Sequence, residues 1–140
     1  MSIDRFLKAQ EGDYGVALRE IRAGRKQTHW IWYIFPQLKG LGRSSTSEYY
    51  GIRDLDEARE YLAEPVLRMR LLEISEALLT LPSNDAEDVM GFPDNLKLHS
   101  SMTLFALAEP SSTVFQRVLD KFFAGEMDEK TVELCGKNQM

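Results

Sequence analysis

Side chains that can do chemistry are concentrated in the short segment 29–37. Four aromatic residues lie within six positions there: Trp30, Trp32, Tyr33 and Phe35. Their rings can stack on a planar ligand, and the imidazole of His29, with an unperturbed pKa near ~6.5, suits proton transfer. The competing interpretation is a central core helix in which His29 bonds to a backbone carbonyl. We predict that Trp30 and Trp32 line a ligand pocket and that His29 is a catalytic candidate.

The next segment, residues 37–46, is a glycine-containing loop that leads into a predicted helix. Gly40 and Gly42 allow unusual backbone dihedrals, and backbone amides at a helix N-terminus attract anions. Lys39 and Arg43 add side-chain donors beside the glycines. Because the GxxxxGK(S/T) pattern of a P-loop is missing, the alternative is a plain tight connection. We predict that these four residues bind a phosphate or carboxylate group.

A third segment, residues 92–105, has hydroxyl side chains within an apolar helical pattern. On a helix, Lys97, Ser100 and Ser101 share one side, and hydroxyl residues have a low propensity for helix interiors. The pattern indicates either a polar strip that faces a cavity or close packing against another helix. In the first case Lys97 is an electrostatic clamp or, if desolvated, a base, and Ser101 contacts the ligand. In the second case Lys97 extends into solvent.

The composition restricts the class of protein. The chain has 140 residues, of which 44% are hydrophobic and 28% charged, and this predicts one soluble domain over residues 1–140. The net charge of −5 argues against sequence-independent binding of nucleic acid. No apolar run approaches the ~20 residues of a membrane span, and the N-terminus lacks a signal-peptide pattern. We therefore expect a cytoplasmic protein that binds neither nucleic acid nor membrane.

Cysteine and histidine usage argues against an internal disulfide and against a metal site. The single cysteine, Cys135, rules out an internal disulfide and is predicted to be buried. His29 and His99 lie far apart and have no cluster of cysteine or histidine beside them, so no metal site is predicted. The sequence indicates no cofactor, and it leaves the oligomeric state open.

Capping residues, glycines and prolines divide the chain into predicted helices almost throughout. The first two helices are separated at Gly12, Asp54 and Pro65 begin two others, and the last ends at Gly136. Glu48 is spaced to form a capping box with Ser45, one of two candidate caps, the other being Thr46. The remaining predicted helices cover about residues 29–35, 85–90, 94–108 and 112–124. Since no alternating strand pattern occurs, we predict an all-α, single compact domain of about eight to nine short helices.

Together these segments resemble a known family. The shared pattern comprises Tyr14, His29-Trp30, Trp32, Phe35-Pro36-Gln37, Gly40-Leu41-Gly42, Tyr50, Pro93-Asp94, Lys97-Leu98 and Ser100-Ser101-Met102-Thr103-Leu104-Phe105. It is similar to that of uncharacterised, mainly bacterial proteins that often carry the label calpastatin, and it covers nearly the whole chain. The resemblance implies a mainly helical fold and a common pocket that includes Tyr14, Gln37, Tyr50, Lys97 and Ser101. The label has no support here, because the inhibitory segments of calpastatin are disordered and polar.

A shorter stretch resembles a group of enzymes. Phe35-Pro36, Gly42 and Thr46-Ser47-Glu48-Tyr49-Tyr50 are similar to part of the small α-helical N-glycosidases that act on riboflavin-pathway intermediates or ADP-ribosylated bases. In that group the glutamate of a Ser-Glu-His-Tyr motif serves catalysis, and Glu48 occupies the matching position. Tyr49 stands here in place of the histidine. The resemblance implies Glu48 as a further catalytic candidate, with helix capping as the alternative.

The sequence therefore predicts a pocket for a phosphate-bearing or nucleotide-like small molecule. The aromatic segment would stack on the ligand, while Lys97, Arg43 and the loop amides would hold its anionic part. The sequence does not decide between an enzyme and a binding protein. A catalytic site would perform hydrolysis or N-glycosidic transfer, with His29 as the proton-transfer group. The alternative is a non-catalytic helical module for protein interaction or structure.

Overall fold

Helices provide the regular structure of this protein in the computed structural model, which describes the backbone of residues 2–139 and the side chains of residues 2–136. The predicted all-α class is confirmed. Nine helices occur within residues 2–139: α1 (Asp4–Arg22), α2 (Ile31–Ile34), α3 (Ser45–Tyr50), α4 (Leu55–Ala63), α5 (Pro65–Leu79), α6 (Ala86–Met90), α7 (Asp94–Ala108), α8 (Thr113–Phe123) and α9 (Glu129–Gln139). None of these nine combines the length and the apolar character that a bilayer crossing requires.

The central helix is α7, which packs against α2, α4, α6, α8 and α9. Most of its side chains are buried, as is typical of a helix surrounded by others. Two of its hydroxyl groups donate to carbonyls one turn earlier, Thr103 to His99 at 2.8 Å and Ser100 to Leu96 at 3.1 Å. These bonds satisfy polar groups that would otherwise be costly to bury.

Buried apolar side chains from every helix except α3, and from the loops between the helices, form one cluster. It contains the chain's single cysteine, because Cys135 is 3% exposed. Its predicted burial is thus confirmed, and desolvation raises the pKa of its thiol above the ordinary value. A buried thiol of this kind packs as a small apolar group.

The predicted break in the first helix is wrong, since α1 is continuous through Gly12 and Gly15. Each glycine costs about 1 kcal/mol relative to alanine in a helix interior. The helix nevertheless buries Phe6 on one side of the glycines and Ile21 on the other, and it packs along α5. Tertiary burial therefore outweighs the low helix propensity of the two glycines.

The predicted helix starts near Asp54, Pro65 and Asp85 are confirmed. Asp54 Oδ1 accepts a hydrogen bond from the Glu57 N–H at 2.9 Å, and Asp85 Oδ1 accepts one from the Glu87 N–H at 3.0 Å. Pro65 occupies the first turn of α5, where its missing N–H has no helical partner to lose.

The predicted cap of α3 is wrong by one residue. Ser44, rather than Ser45 or Thr46, precedes the helix, and its Oγ accepts from the Ser47 N–H at 3.1 Å. Glu48 is consequently out of capping-box register. The helix starts earlier because Ser44 has the extended backbone that a cap requires.

Two other predicted boundaries differ from the structure. The predicted helix over 29–35 is present only as the single turn α2, and Phe35 leaves helical geometry directly before Pro36. At the C-terminal end, α9 continues past Gly136 instead of ending there. A glycine commonly ends a helix by taking a positive φ, as Gly125 does at +77°, and Gly136 does not.

Candidate functional site

A groove of about 330 Å³ lies between the loop after α2, the first half of α7 and the start of α9. We call it the α7 groove; it is lined by Gln37, Leu41, Gly42, Pro93, Leu96, Lys97, Ser100, Asp128 and Lys130. Its volume falls at the lower end of the ~300–1,000 Å³ typical of small-ligand sites. Three of the residues selected from the sequence, Gln37, Gly42 and Lys97, meet in this groove.

The loop on one side of the groove is fixed by backbone pairing. The Ile52 N–H donates to the Gln37 carbonyl at 2.9 Å, and the Lys39 N–H donates to the Ile52 carbonyl at 2.7 Å. Gly51 permits this close approach, because a Cβ on it would lie 2.7 Å from the Lys39 Cα. Arg5, itself buried, donates to the Gly51 carbonyl at 2.9 Å. The loop backbone is therefore anchored to α1 and α3.

Gly42 forms part of the groove wall where no side chain fits. A Cβ at this position would lie 2.4 Å from Ser47 Oγ and 3.6 Å from Gln37 Nε2. Gly40, by contrast, is required by the turn itself, since its φ is +101°. The two glycines thus have different roles, and only Gly42 lines the groove.

Gln37 is the unusual side chain of this wall. It is 8% exposed and lines the groove. No described residue forms a hydrogen bond with its side-chain amide. Its amide atoms are not among the fully buried side-chain atoms that lack a partner, so they reach the surface of the groove. The groove therefore contains two donors and an acceptor for which residues 2–136 offer no partner.

Lys97 supplies one positive charge on the α7 side. Its side chain is 21% exposed, and its Nζ lies 3.4 Å from Asp94 Oδ1. The other oxygen of Asp94 lies 2.8 Å from the Nζ of Lys26. Lys97 and Lys26 thus share the carboxylate of Asp94.

The start of α9 completes the groove with Asp128 and Lys130. Asp128 Oδ2 caps the helix by accepting from the Thr131 N–H at 3.1 Å and the Thr131 hydroxyl at 2.6 Å. The Ser100 hydroxyl also donates to this oxygen, at 3.2 Å. Lys130 is exposed. The groove lining therefore contains two cationic side chains and one carboxylate.

The aromatic segment lies away from this groove. Trp30 is 1% exposed, and its indole N–H donates to Glu20 Oε1 at 2.9 Å. The Glu20 carboxylate also accepts from the N–H groups of Gln27 and Thr28 and from the Thr28 hydroxyl. Desolvation raises the pKa of Glu20, but these hydrogen bonds together outweigh it and lower that pKa to about 2. The side chain of His29 is exposed and is not part of the groove lining.

Other residues selected from the sequence pack elsewhere. The hydroxyl of Tyr14 donates to the Glu73 carboxylate. Burial is the larger cause that raises the pKa of Tyr14, and this hydrogen bond is the second. Tyr50 is half-buried against Phe6 and Tyr33, with ring centroids 6.0 and 5.2 Å away. Trp32 is half-buried against the core.

Four further residues selected from the sequence also lie outside the lining of the α7 groove. Arg43 and Gly40 are exposed and do not line the α7 groove. Glu48 faces Lys39 at 3.9 Å in a separate, smaller depression. Ser101 is fully buried inside α7's packing, and its Oγ has no hydrogen-bond partner among the described residues.

Sequence reasoning missed three polar groove residues as site candidates: Ser100, Asp128 and Lys130. Asp128 is recognisable in the sequence as a helix cap, but nothing local indicates that its helix starts beside Lys97. Ser100 had a usable signal, because it lies three residues after Lys97 and so shares a helix face with it. Lys130 has no such signal.

The groove chemistry suits an anion joined to a hydrogen-bonding and partly apolar body. Lysine ammonium groups attract phosphate or carboxylate, and the amide and carboxylate can bond to hydroxyl or amino groups. Leu41, Leu96 and Pro93 add apolar surface. Within the described residues, no three His, Cys, Asp or Glu side chains are placed to hold a metal ion.

Comparison with known proteins gives one family and one structure. The family model described as "Protein of unknown function (DUF1810)" matches residues 1–135. The crystal structure of the conserved hypothetical protein Rv1873 from Mycobacterium tuberculosis is similar, with 42% sequence identity, 96% of each chain covered and a TM-score of 0.94. No curated protein matches the chain significantly. Neither description mentions calpastatin, so that label gains no support.

Proposed function

The chain belongs to the DUF1810 family of proteins of unknown function, and we propose that it binds a phosphate-bearing, nucleotide-like small molecule in the α7 groove. The observation that carries this proposal is the side-chain amide of Gln37, which lines the groove and has no hydrogen-bond partner among the described residues. An amide at the groove surface whose two donors and one acceptor have no partner within residues 2–136 can bond to a ligand there. A ligand in the groove would supply that partner.

The charges of the groove support an anionic group on the ligand. Lys97 and Lys130 line the groove together with the carboxylate of Asp128. All three hydrogen bonds of that carboxylate described above go to one of its oxygens, Oδ2. The second oxygen can accept from a hydroxyl of the ligand. The proposal therefore places the phosphate toward the lysines and the sugar hydroxyl groups toward Asp128.

The apolar lining supports a flat or ring-shaped body. Leu41, Pro93 and Leu96 offer a surface on which a sugar or base can pack, beside the amide of Gln37. A glutamine amide pairs well with the donor and acceptor edge of a base such as adenine. The stacking role predicted for Trp30 is not part of this proposal, because that indole is buried in the core.

The proposal is for binding and assigns no reaction. The catalytic roles predicted for His29 and Glu48 are left out, because neither side chain lines the groove. Lys97 is retained as the residue that holds the anion. Three sequence expectations accompany the proposal: the acidic net charge supports the absence of nucleic-acid binding, the unpaired cysteine supports a cytoplasmic location, and the single core supports one domain.

Thermal stabilisation by defined probes tests the proposal. Inorganic phosphate, ribose 5-phosphate, adenosine 5′-monophosphate and adenosine are titrated against the wild type, Lys97→Met and Lys8→Met. A probe at ~100 times its Kd adds about 2.7 kcal/mol of stability, so binding is visible as a rise in Tm. We expect the monophosphate to stabilise the wild type and Lys8→Met, and adenosine to bind at least about tenfold more weakly.

Lys8 is the matched control, because it is an exposed lysine on α1, outside the groove. Lys97→Met is expected to weaken binding of the monophosphate by about tenfold or more, the usual effect of losing a charged hydrogen bond. The proposal is wrong if none of the three phosphate compounds stabilises the wild type. It is also wrong if Lys97→Met and Lys8→Met respond to them equally.

A second candidate function, a non-catalytic interaction module, is favoured by one separate observation. Phe92 is 70% exposed and Leu96 is 51% exposed, and the two residues lie four positions apart next to the groove. Exposed apolar residues that are contiguous are common at protein–protein contacts. Sedimentation of the wild type and Phe92→Ser tests for self-association: a mass above the monomer that this substitution abolishes supports the module.

A further inference from the structure

Asp94 stands between two lysines that belong to different parts of the chain. Its Oδ2 lies 2.8 Å from the Nζ of Lys26, and its Oδ1 lies 3.4 Å from the Nζ of Lys97. Lys26 lies in the loop after α1, whereas Lys97 lines the α7 groove. One carboxylate therefore divides its charge between a lysine outside the groove and a lysine inside it.

Lys26 holds its place through several contacts. Its side chain is only 5% exposed, and its Nζ also donates to the Thr28 carbonyl at 2.6 Å. The same Nζ lies 4.9 Å from the centre of a Trp30 ring, and the backbone N–H donates to the Val89 carbonyl at 2.7 Å. The ammonium group is therefore presented to Asp94 by a rigid loop.

These contacts decide which lysine Asp94 pairs with more strongly. Attraction between opposite charges increases as their separation falls and as water is excluded, and both conditions favour Lys26 over Lys97. With Asp94 mainly neutralised by Lys26, the charge of Lys97 stays uncompensated toward the groove. Without Lys26, the same carboxylate would neutralise Lys97 instead.

We propose that Lys26 is a positioning residue for the groove: by engaging Asp94, it keeps the ammonium group of Lys97 available to the anionic group of a ligand. The inference rests on the proposed function, because it assumes an anion in the groove. It also gives the aromatic segment an indirect role in the site, because the Trp30 ring packs against the ammonium group of Lys26 and does not line the groove.

A double-mutant cycle tests this proposal with adenosine 5′-monophosphate as the probe, measured by calorimetry. Lys26→Met is expected to weaken binding by about tenfold, because Asp94 then competes for Lys97. Asp94→Asn is expected to tighten binding by several-fold, on the order of threefold to tenfold, since it removes the competitor. The variant with both substitutions is expected to return to within about threefold of the wild type.

This pattern of signs separates positioning from a purely structural role. If Lys26 and Asp94 only hold the fold together, each single variant weakens binding and the double variant is no better than Lys26→Met. That result overturns the proposal. Lys26→Arg is the conservative control, because it keeps the charge near Asp94 and is expected to bind the probe as the wild type does. Asp94→Asn tests the same competition without removing Lys26, should Lys26→Met fail to fold.

A measurement without ligand distinguishes failure of this inference from failure of the proposed function. Acetic anhydride labels accessible lysines of the native protein, and mass spectrometry gives the rate at Lys97, with Lys8 as the internal reference. We expect labelling of Lys97 to slow several-fold in Lys26→Met and to recover in the double variant. If no phosphate probe binds but this labelling pattern is found, the proposed function fails and the positioning remains. If probes bind but neither labelling nor affinity responds to Lys26→Met, the positioning fails alone.

Discussion

Two regions of this protein bury polar side chains in opposite ways. Around Trp30, the indole N–H and the neighbouring backbone N–H groups all bond to the carboxylate of Glu20. In the α7 groove, the amide of Gln37 lies at the groove surface and has no partner among the described residues. The first region resembles a structural network that is closed on itself, and the second leaves donors and an acceptor open.

The difference shows why residue type alone does not identify a site. The aromatic segment has the rings and the imidazole that a ligand pocket uses, yet the Trp30 indole and the Tyr33 hydroxyl bond to other groups of the protein. The groove has a less conspicuous composition but an unsatisfied amide beside a lysine. For the proposed site we therefore rely on polar groups that lack a partner in a concave place rather than on residue type alone.

The largest expected effect comes from a substitution that disrupts the hydrogen-bonded region around Trp30. Trp30→Ala should lower the free energy of unfolding by about 3–5 kcal/mol, because it leaves a cavity in the core and removes the bond to Glu20. Chemical denaturation of both proteins measures this loss. A loss below about 1 kcal/mol, as for a surface substitution, would show that Trp30 is not a core residue.

Substitutions of two glutamines, Gln10 and Gln37, compare a hydrogen-bonded amide directly with one that has no partner among the described residues. Gln10 is 1% exposed and its amide donates to the Tyr33 carbonyl at 2.7 Å and the Tyr61 hydroxyl at 2.9 Å. Gln10→Met should therefore cost about 1–3 kcal/mol of stability, whereas Gln37→Met should cost close to none. Affinity for adenosine 5′-monophosphate should fall only in Gln37→Met. Equal destabilisation by the two substitutions would contradict the contrast.

The pH dependence of stability tests the closed network through Glu20. Its folded pKa of about 2 is lower than the ordinary 4.5, so its ionised form stabilises the folded state. This contribution is complete above pH 4.5 and is lost as the pH falls toward 2. Glu20→Gln should be less stable than the wild type at neutral pH, by about 1 kcal/mol, and the difference should shrink through this interval.

Glu11 provides the control for that experiment, because it is an exposed glutamate on the same helix. Glu11→Gln should show no comparable change in its stability difference from the wild type over the same pH range. A difference between Glu20→Gln and the wild type that stays constant down to pH 2 would exclude a stabilising charge at Glu20.

The smallest expected effect concerns α1, which supports the closed region. Gly12 is exposed, and a Cβ there would meet no atom within 4 Å. Gly12→Ala should raise the free energy of unfolding by about 0.5–1 kcal/mol and leave ligand binding unchanged. Thermal denaturation gives the sign. A decrease in Tm would mean that the glycine is needed for a contact or a conformation in α1.

Local signals explain which parts of the fold are predictable. Asp54, Pro65 and Asp85 mark helix starts because a cap or a first-turn proline acts within a few residues. Gly12 does not end a helix, because burial by α5 decides the outcome and no local pattern reports it. The short α2 was predictable only in part, since Pro36 fixes its end but nothing marks its start.

The candidate site depends on contacts that span the chain. Gln37, Gly42 and Lys97 could be selected one by one from a loop and a helix face, and the structure brings them to one groove. Nothing in the sequence separates them from Trp30, which looks equally suited to a ligand. The pairing of Lys26 with Asp94 joins residues that are far apart in the sequence, and it follows from tertiary packing alone. The ligand roles of all these residues remain predictions.

The most direct test of the account is an NMR titration of the ¹⁵N-labelled protein with adenosine 5′-monophosphate. It follows two kinds of side-chain signal at once, the amide of Gln37 and the indoles of Trp30 and Trp32. The account predicts a saturable shift of the Gln37 amide and of the Gly42 backbone signal, with the Trp30 indole unchanged. Shifts at Trp30 and His29 with an unchanged Gln37 amide would contradict it, because the ligand would then occupy the region described here as closed.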